Sequence, residues 1–127
     1  MTISDKDILP VDAFDAEELA RGIVSWVELE TPSERNDLID LLLDKVEADF
    51  EGLPVTRRRI PGEAGGGGQL VLTYAPEGAA GKPVTFMGHI DTVWPHGTLA
   101  ERPVCRDGDK LHGPGIFDMK AGSYLAT

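Results

Sequence analysis

The sequence predicts an α/β fold, and three observations taken in chain order support it. Apolar residues recur at steps of three and four between Asp15 and Gly52, which is the period of amphipathic helices. Beyond Gly52 the period changes to two, which is typical of strands. A further helix is expected from Asp118, and no stop signal follows it before Thr127. Two helices, then strands, then a helix cut short indicate an α/β domain, and we expect the chain to be the N-terminal part of something longer.

The first helix is expected to begin at Asp15 and to end near Glu30. Its apolar stripe consists of Leu19, Ile23, Trp26 and Val27. These spacings bring the side chains onto one helix face, so this face should pack against the core.

The second helix is expected to begin in the sequence TPSE, residues 31–34. Thr31 is a suitable cap, Pro32 would occupy the first helical position, and Glu34 would complete a capping box. Gly52 is a suitable C-terminal cap. The apolar face is expected to contain Leu38, Leu41, Leu42, Lys45 and Val46.

Strands of a mixed sheet are expected next. Residues 55–60 should form an exposed strand and residues 69–74 a second one, joined by a flexible glycine-rich loop at 61–68. Residues 83–89 are apolar enough for a third strand buried on both faces. The dipeptide Asp107-Gly108 then predicts a hairpin within a long irregular stretch.

Length and charge limit what the chain can be. A chain of 127 residues with 41% hydrophobic residues suits one globular domain, here expected over 13–127 after a flexible N-terminus at 1–12. Twelve basic and 22 acidic residues give a net charge of -10, which repels nucleic acid and anionic membranes. We therefore expect neither as a partner.

The compartment is predicted from the single cysteine and from the N-terminal residues. Cys105 has no partner within the chain, so a reducing compartment is the simplest interpretation. The N-terminus shows no secretory signal, and no apolar run approaches the roughly 20 residues of a membrane span. A cytoplasmic protein is therefore expected.

His89 and Asp91 form the first pair of candidate site residues. They lie two positions apart at the end of the expected third strand, so their side chains should point to the same side. Histidine is the commonest metal ligand, and a ligating imidazole usually donates its other N–H to a carboxylate. An ordinary strand end with a solvated pair is the alternative.

Asp118 is the second candidate. It follows a glycine- and proline-containing turn and should lie at or just before a helix N-terminus, where the helix dipole favours an anion. An ionised carboxylate there can bridge two cations, but it can also serve only as an N-cap. His96 and His112 are expected to be solvated surface residues, and Cys105 is expected to be a packed or idle thiol.

Taken together, the two motifs resemble the M20 metallopeptidases, a family of two-zinc exopeptidases and deacylases. The resemblance covers the chain from about Leu19 to the end and rests on HIDTV at 89–93 and GDKLHGPGIFDMKAG at 108–122, with ETPS at 30–33 in support. It implies a three-layer zinc-exopeptidase-like catalytic domain, of which this chain is the N-terminal portion.

The resemblance also implies roles for the candidate residues. His89 and Asp118 would be metal ligands, with Asp118 bridging two zinc ions in the full protein, for which Co²⁺ or Mn²⁺ are alternatives. The site in this chain is expected to be partial or empty. Asp91 would support His89 as a catalytic residue, and the bond between Asp118 and Met119 would be cis. The family's glutamate base and its remaining ligands come later in the chain, so they are not among these residues.

A function follows from these roles. The whole protein is expected to hydrolyse a peptide or N-acyl amide bond of a small peptide or N-acyl amino acid, in the manner of a glutamate carboxypeptidase. It is expected to dimerise through a lid domain that is absent here, and the 127-residue chain alone is expected to be inactive. The alternative is an inert fragment or truncated paralogue that acts only by associating with another chain.

Overall fold

The computed structural model describes residues 8–63 and 66–127. Most of the expected flexible N-terminus, residues 1–7, lies outside the described residues. The described part begins with exposed residues and a single 3₁₀ turn, Val11–Ala13. No helix in the described ranges combines the length and the apolar character needed to cross a membrane.

Helix α1 spans Ala16–Val27, so it begins one residue after the predicted start at Asp15, and Asp15 is its N-cap. The Asp15 carboxylate accepts hydrogen bonds from the backbone N–H groups of Glu17 and Glu18. Ile23, Trp26 and Val27 are buried, which confirms the predicted stripe. The helix ends at Val27, short of the predicted end near Glu30.

Helix α2 spans Asn36–Asp49, so the predicted start at residues 31–34 is wrong. Thr31 is fully buried, and its hydroxyl donates a 2.6 Å hydrogen bond to the carbonyl of Ile90 instead of capping a helix. The buried face also differs from the prediction because Leu41 is 53% exposed. The residues buried on it are Ile39, Leu42, Leu43 and Val46.

Strands β1 (Val55–Ile60) and β2 (Gln69–Tyr74) have the predicted bounds and pair antiparallel, with Val55 opposite Tyr74. The loop 61–68, predicted to be flexible, falls partly outside the described residues. The guanidinium of Arg59 forms ion pairs with Asp40, Asp44 and Glu47 and so ties β1 to α2.

The core lies where α1, α2 and β2 meet. Trp26, Leu42 and Val46 are its buried centre, and partly buried side chains pack around them. One of these is Tyr124, whose ring meets the Trp26 ring edge-on at a centroid distance of 5.2 Å. Gly22 permits this approach, because a Cβ on Gly22 would collide with the Tyr124 ring.

The predicted third strand at 83–89 is wrong. These residues form no strand, and Val84, Phe86 and Met87 are 80%, 77% and 89% exposed. A buried strand needs a hydrogen-bonded neighbour on each side, and none of the described segments pairs with this one.

The mixed sheet is likewise not formed. The described residues contain two antiparallel pairs of strands and one isolated parallel bridge, between Pro32 and Thr92.

The predicted hairpin is confirmed, although its turn is shifted by one residue. Strands β3 (Cys105–Asp107) and β4 (Lys110–His112) pair antiparallel, and Asp107 faces Lys110, so the turn residues are Gly108 and Asp109. Gly108 has a φ of 60°, which the first position of a type II′ turn requires. The short helix α3 (Thr98–Glu101) precedes the hairpin.

The last elements are a wide helical turn, Ile116–Lys120, and helix α4, Ala121–Leu125. Asp118 and Met119 have non-helical backbone angles within the turn, and the peptide bond between them is cis, as the resemblance implied. Helices together with small antiparallel sheets agree with the predicted α/β class. The three-layer arrangement stays a prediction.

Candidate metal centre

The loop that carries His89 and Asp91 is held by a segment that is far away in sequence, residues 31–33. The backbone N–H of Thr92 donates to the carbonyl of Thr31 at 2.8 Å, and the N–H of Ser33 donates to the carbonyl of Thr92 at 3.1 Å. Together with the Thr31 side-chain bond to Ile90, these contacts join residues 31–33 to residues 90–92. We call this paired unit the clamp.

The imidazole of His89 lies between two carboxylates. Its Nδ1 is 3.1 Å from both Oδ1 and the backbone oxygen of Asp91, and its Nε2 is 3.0 Å from Oδ1 of Asp118. The structure thus brings together the three predicted site residues. With Nδ1–H donating to Asp91, Nε2 faces Asp118 with a lone pair in the neutral ring and with an N–H donor in the protonated ring.

The electrostatics of His89 follow from these neighbours. Burial lowers the pKa of the imidazole, but the hydrogen bonds to the Asp91 carbonyl and the Asp118 carboxylate, with the charges of both residues, outweigh it and raise the pKa above the ordinary value. The site therefore favours a positive charge at the position between Asp91 and Asp118.

Two serine hydroxyl groups hold Asp91 and His89 in this geometry. Ser33 Oγ donates a 2.6 Å hydrogen bond to Oδ2 of Asp91, the carboxylate oxygen that His89 does not use. Ser123 Oγ, on α4, donates to the backbone carbonyl of His89 at 2.9 Å. Both oxygens of the Asp91 carboxylate are therefore engaged, and the backbone of His89 is tied to α4.

Lys120 attaches the loop of Asp118 to the end of α1. Its side chain is buried, and Nζ donates to the carbonyls of Trp26 and Leu29 at 3.2 and 2.6 Å. Burial lowers the pKa of Lys120 to about 8, against a smaller opposing effect of the Glu30 charge. The ammonium thus satisfies carbonyls at the C-terminal end of α1, which would otherwise be unpaired.

The Asp118 side chain contacts His89 and does not cap a helix. Its carboxylate is 79% exposed and points to His89, whereas α4 begins without a side-chain cap. The N-cap alternative for Asp118 is therefore wrong. Gly115, with a φ of 73°, allows the preceding turn to pass close to Thr92, since a Cβ there would collide with the threonine methyl group.

The donor set can be tested against a zinc ion. Two ligands at about 2.0–2.1 Å from a tetrahedral ion stand about 3.3 Å apart. The observed 3.0 Å between His89 Nε2 and Asp118 Oδ1 is close to that edge length, so both atoms could reach one ion. Within the described ranges no three metal-binding side chains cluster, so the chain offers part of a ligand set.

The centre opens into a shallow cavity of about 370 Å³. His89, Asp91 and Asp118 line it together with the aromatic side chains of Trp94 and Phe117. A cavity that combines charged and aromatic side chains can bind an amide-containing ligand.

The chain is similar to two known hydrolases. Carboxypeptidase G2 of Pseudomonas sp. (strain RS-16) is 37% identical over 82 residues, which cover 63% of this chain and 19% of that protein. Succinyl-diaminopimelate desuccinylase of Rhodospirillum centenum (strain ATCC 51521 / SW) is 36% identical over 85 residues, 63% of this chain and 22% of that protein. The chain thus spans about a fifth of the length of these curated relatives. No protein-family model matches it.

The other predicted candidates have different surroundings. His112 is exposed, as expected, and Cys105 is an exposed free thiol rather than a packed one. His96 is not merely solvated, because its Nδ1 lies 2.8 Å from Oε2 of Glu30. The Glu30 carboxylate also accepts the backbone N–H groups of Gly97 and Leu99, so it organises the loop beside the centre.

Three residues of the site were not recognised from their local pattern. Ser33 was interpreted as part of a helix start, and Ser123 and Lys120 as ordinary helix residues. Lys120 carries one usable signal, since a lysine among small and apolar residues next to a candidate ligand is a candidate for burial. The two serines carry no such signal.

Proposed function

We propose that residues 13–127 are the N-terminal part of the catalytic domain of a metal-dependent M20-type hydrolase that cleaves a peptide or N-acyl amide bond. The observation that carries the proposal is the His89 imidazole, held by Asp91 at Nδ1 and facing Asp118 at Nε2. The similarity to a carboxypeptidase and a desuccinylase supports the same reaction class.

Each residue has a distinct task in this proposal. His89 and Asp118 would hold the metal, expected as two zinc ions in the whole protein, and the exposed carboxylate of Asp118 would be shared between them. Asp91 keeps the proton on Nδ1 and so directs the Nε2 lone pair outward. Zinc, when bound, would polarise the scissile carbonyl and lower the pKa of an attacking water.

The substrate in this proposal is a small peptide or an N-acyl amino acid, with carboxypeptidase action preferred because 93–99 resembles the glutamate carboxypeptidase branch. A general base and further ligands would come from other parts of a longer protein, which would dimerise through its lid domain. The 127-residue chain alone is therefore proposed to be inactive. The cytoplasm stays the expected compartment, on the ground of the single cysteine.

Calorimetric titration of the chain with Zn²⁺ tests the centre directly. We expect weak binding that falls about tenfold or more in H89A and in D118N, because H89A removes a donor nitrogen and D118N replaces an anionic carboxylate by a neutral amide. H112A removes an exposed histidine on β4 and is the matched control, with unchanged binding expected. Zinc binding that survives both H89A and D118N, or tight stoichiometric binding of two zinc ions by this chain alone, would contradict the proposal.

A second function is favoured by one observation. Val84, Phe86 and Met87 have exposed apolar side chains on a segment that pairs with no strand among the described residues. A chain that acts only by associating with another chain would use such a surface. It would bind zinc no better than H89A does, so the same titration separates the two functions.

A further inference from the structure

A short segment, residues 94–102, contributes a wall to the cavity that contains the centre. Trp94 lines that cavity and also an adjoining one of about 510 Å³, which Arg102 lines as well. The guanidinium of Arg102 lies over the Trp94 ring, 4.7 Å from the ring centroid, and this cation–π contact joins the two ends of the segment. The position of the Trp94 wall therefore depends on how the segment as a whole is held.

Apolar packing contributes little to holding the segment. No residue from Trp94 to Arg102 is buried, and only Thr98 and Leu99 are partly buried. Hydrophobic stabilisation follows the apolar area removed from water, so it is small for a segment of this kind. Polar contacts must therefore fix the segment against the rest of the chain.

Some hydrogen bonds of the segment only close it on itself. The backbone N–H of Thr98 donates to the carbonyl of Pro95 at 3.2 Å, and the N–H of Arg102 donates to the carbonyl of Thr98 at 2.8 Å. These bonds shape the turn and helix α3, but they do not determine where the segment lies in the molecule.

The hydrogen bonds that leave the segment end, among the residues that the structure describes, on the carboxylate of Glu30. Its Oε2 accepts the backbone N–H of Gly97 at 2.7 Å, and its Oε1 accepts the N–H of Leu99 at 2.8 Å. Oε2 also lies 2.8 Å from Nδ1 of His96. One side chain thus attaches the segment at three consecutive positions of its turn and helix start.

Glu30 stays ionised although its side chain is only 14% exposed. Burial raises the pKa of Glu30, but the N–H groups of Leu99 and Gly97, with the hydrogen bond and charge of His96, outweigh burial and lower the pKa below the ordinary value. An ionised carboxylate accepts hydrogen bonds at both oxygens, and such bonds are stronger than those between neutral groups. The attachment is therefore a strong one.

We propose that Glu30, which lines neither cavity, is a positioning residue that sets where the Trp94 wall stands relative to His89 and Asp118. The residue before it, Leu29, accepts the Lys120 ammonium at its carbonyl, so the wall and the loop of Asp118 are attached to adjacent residues just after α1. The inference rests on the proposed function, because the wall limits a substrate only if the cavity binds one.

Amide hydrogen exchange of the 127-residue chain tests the attachment. The amides of Gly97 and Leu99 should be protected in the unchanged chain, although their segment has no buried residue. E30Q keeps the size of the side chain, but glutamine has one carbonyl oxygen, so one of the two N–H groups would face an N–H₂ group. We expect exchange of at least one of these amides to rise about tenfold or more in E30Q. Two unprotected amides in the unchanged chain would overturn the inference.

E28Q is the matched control, because Glu28 is exposed and lies two positions from Glu30. It removes the same charge, and both amides should keep their protection. H96A removes the third contact of the Glu30 carboxylate but neither backbone bond, so both amides should also stay protected there. Equal exchange rates in E28Q and E30Q would overturn the inference.

The indole N–H resonances in ¹H–¹⁵N spectra report the wall itself. The chain has two tryptophans, and Trp26 is buried in the core, so it is an internal reference for Trp94. E30Q should move the Trp94 resonance and leave the Trp26 resonance in place. If E30Q also moves the Trp26 resonance, E30D replaces it, because aspartate keeps the charge on a side chain too short to reach both N–H groups. An unmoved Trp94 resonance in the variant that keeps Trp26 in place would overturn the inference.

Zinc calorimetry separates this inference from the proposed function. The zinc affinity of E30Q should change by less than about twofold, because neither His89 nor Asp118 belongs to the segment. An E30Q chain with unaltered amides and Trp94 resonance, together with zinc binding that is lost in H89A and D118N, would overturn the inference and leave the proposed function. The expected changes in E30Q, together with zinc binding that survives both H89A and D118N, would uphold the role of Glu30 and overturn the proposed function.

Discussion

The hydroxyl of Ser33 and the carboxylate of Asp91 form a 2.6 Å hydrogen bond across 58 positions of sequence. Asp91 uses its other oxygen for Nδ1 of His89. Ser33 therefore acts on the imidazole through Asp91, by limiting the rotation of the carboxylate that orients it.

Replacement of Ser33 by alanine should lower zinc affinity by about tenfold and leave the free energy of unfolding nearly unchanged, because its bond to the Asp91 carboxylate is exposed and its other contact, to the Thr92 carbonyl, is long at 3.2 Å. Zinc calorimetry and urea denaturation measure the two quantities. The matched control is S25A, which removes a serine hydroxyl that bonds to Gly22 on α1, away from the centre. Equal zinc affinity in S33A and S25A would show that Ser33 has no orienting role.

Zinc affinity should rise with pH across neutrality. The carbonyl of Asp91 and the carboxylate of Asp118 raise the pKa of His89 despite its partial burial, and the proton must leave before Nε2 can bind metal. Below that pKa the affinity should fall by up to about tenfold for each pH unit. Titrations at several pH values on either side of neutrality check this, and a flat profile would remove His89 from the ligand set.

Substitution of Lys120 by methionine should destabilise the chain by about 2 kcal/mol at neutral pH, because the buried carbonyls of Trp26 and Leu29 lose their donor while the apolar volume is kept. Urea denaturation of both proteins gives the difference. A K120M chain as stable as the unchanged chain would show that water replaces the ammonium.

The same pair of proteins should differ in pH dependence. Burial lowers the pKa of Lys120 to about 8 from an ordinary value of 10.5, so between these values the unfolded chain holds a proton that the folded chain has lost. The free energy of unfolding should therefore rise with pH in this window, and the rise should be absent in K120M. Parallel pH profiles for the two proteins would contradict the burial of this ammonium.

Adjacent leucines on α2 should respond very differently to truncation. Leu42 is fully buried in the core, whereas Leu41 is 53% exposed. We expect L42A to cost about 2–4 kcal/mol and L41A about 0.5 kcal/mol or less. Denaturant unfolding measures both, and similar costs would mean that the buried face is the one predicted from the sequence.

The elements that the sequence predicts correctly are those whose determinants are local. Asp15 caps α1 through residues two and three positions away, and the alternation in 55–60 and 69–74 defines both strands of a hairpin. His89 and Asp91 are also close in sequence, and an extended backbone suffices to bring their side chains together.

The predictions that fail depend on distant partners. Residues 31–34 have a helix-start pattern, but the long-range bonds of Thr31 and Ser33 to residues 90–92 hold them outside α2. Residues 83–89 have the composition of a buried strand, but composition does not supply a neighbouring strand. The sequence does not predict the role of Ser33 in the site for the same reason, since its partner, Asp91, lies 58 positions away.

The clamp has a consequence for the order of folding. The bond from Thr31 to Ile90 closes a loop across 59 positions of sequence, whereas α2 and the β1–β2 pair form within that loop from near neighbours. Loop-closure entropy delays contacts of this span until local ones exist. We therefore expect the metal-facing loop to be one of the last parts of the chain to reach its native conformation, so that a slow refolding phase should report the acquisition of zinc affinity.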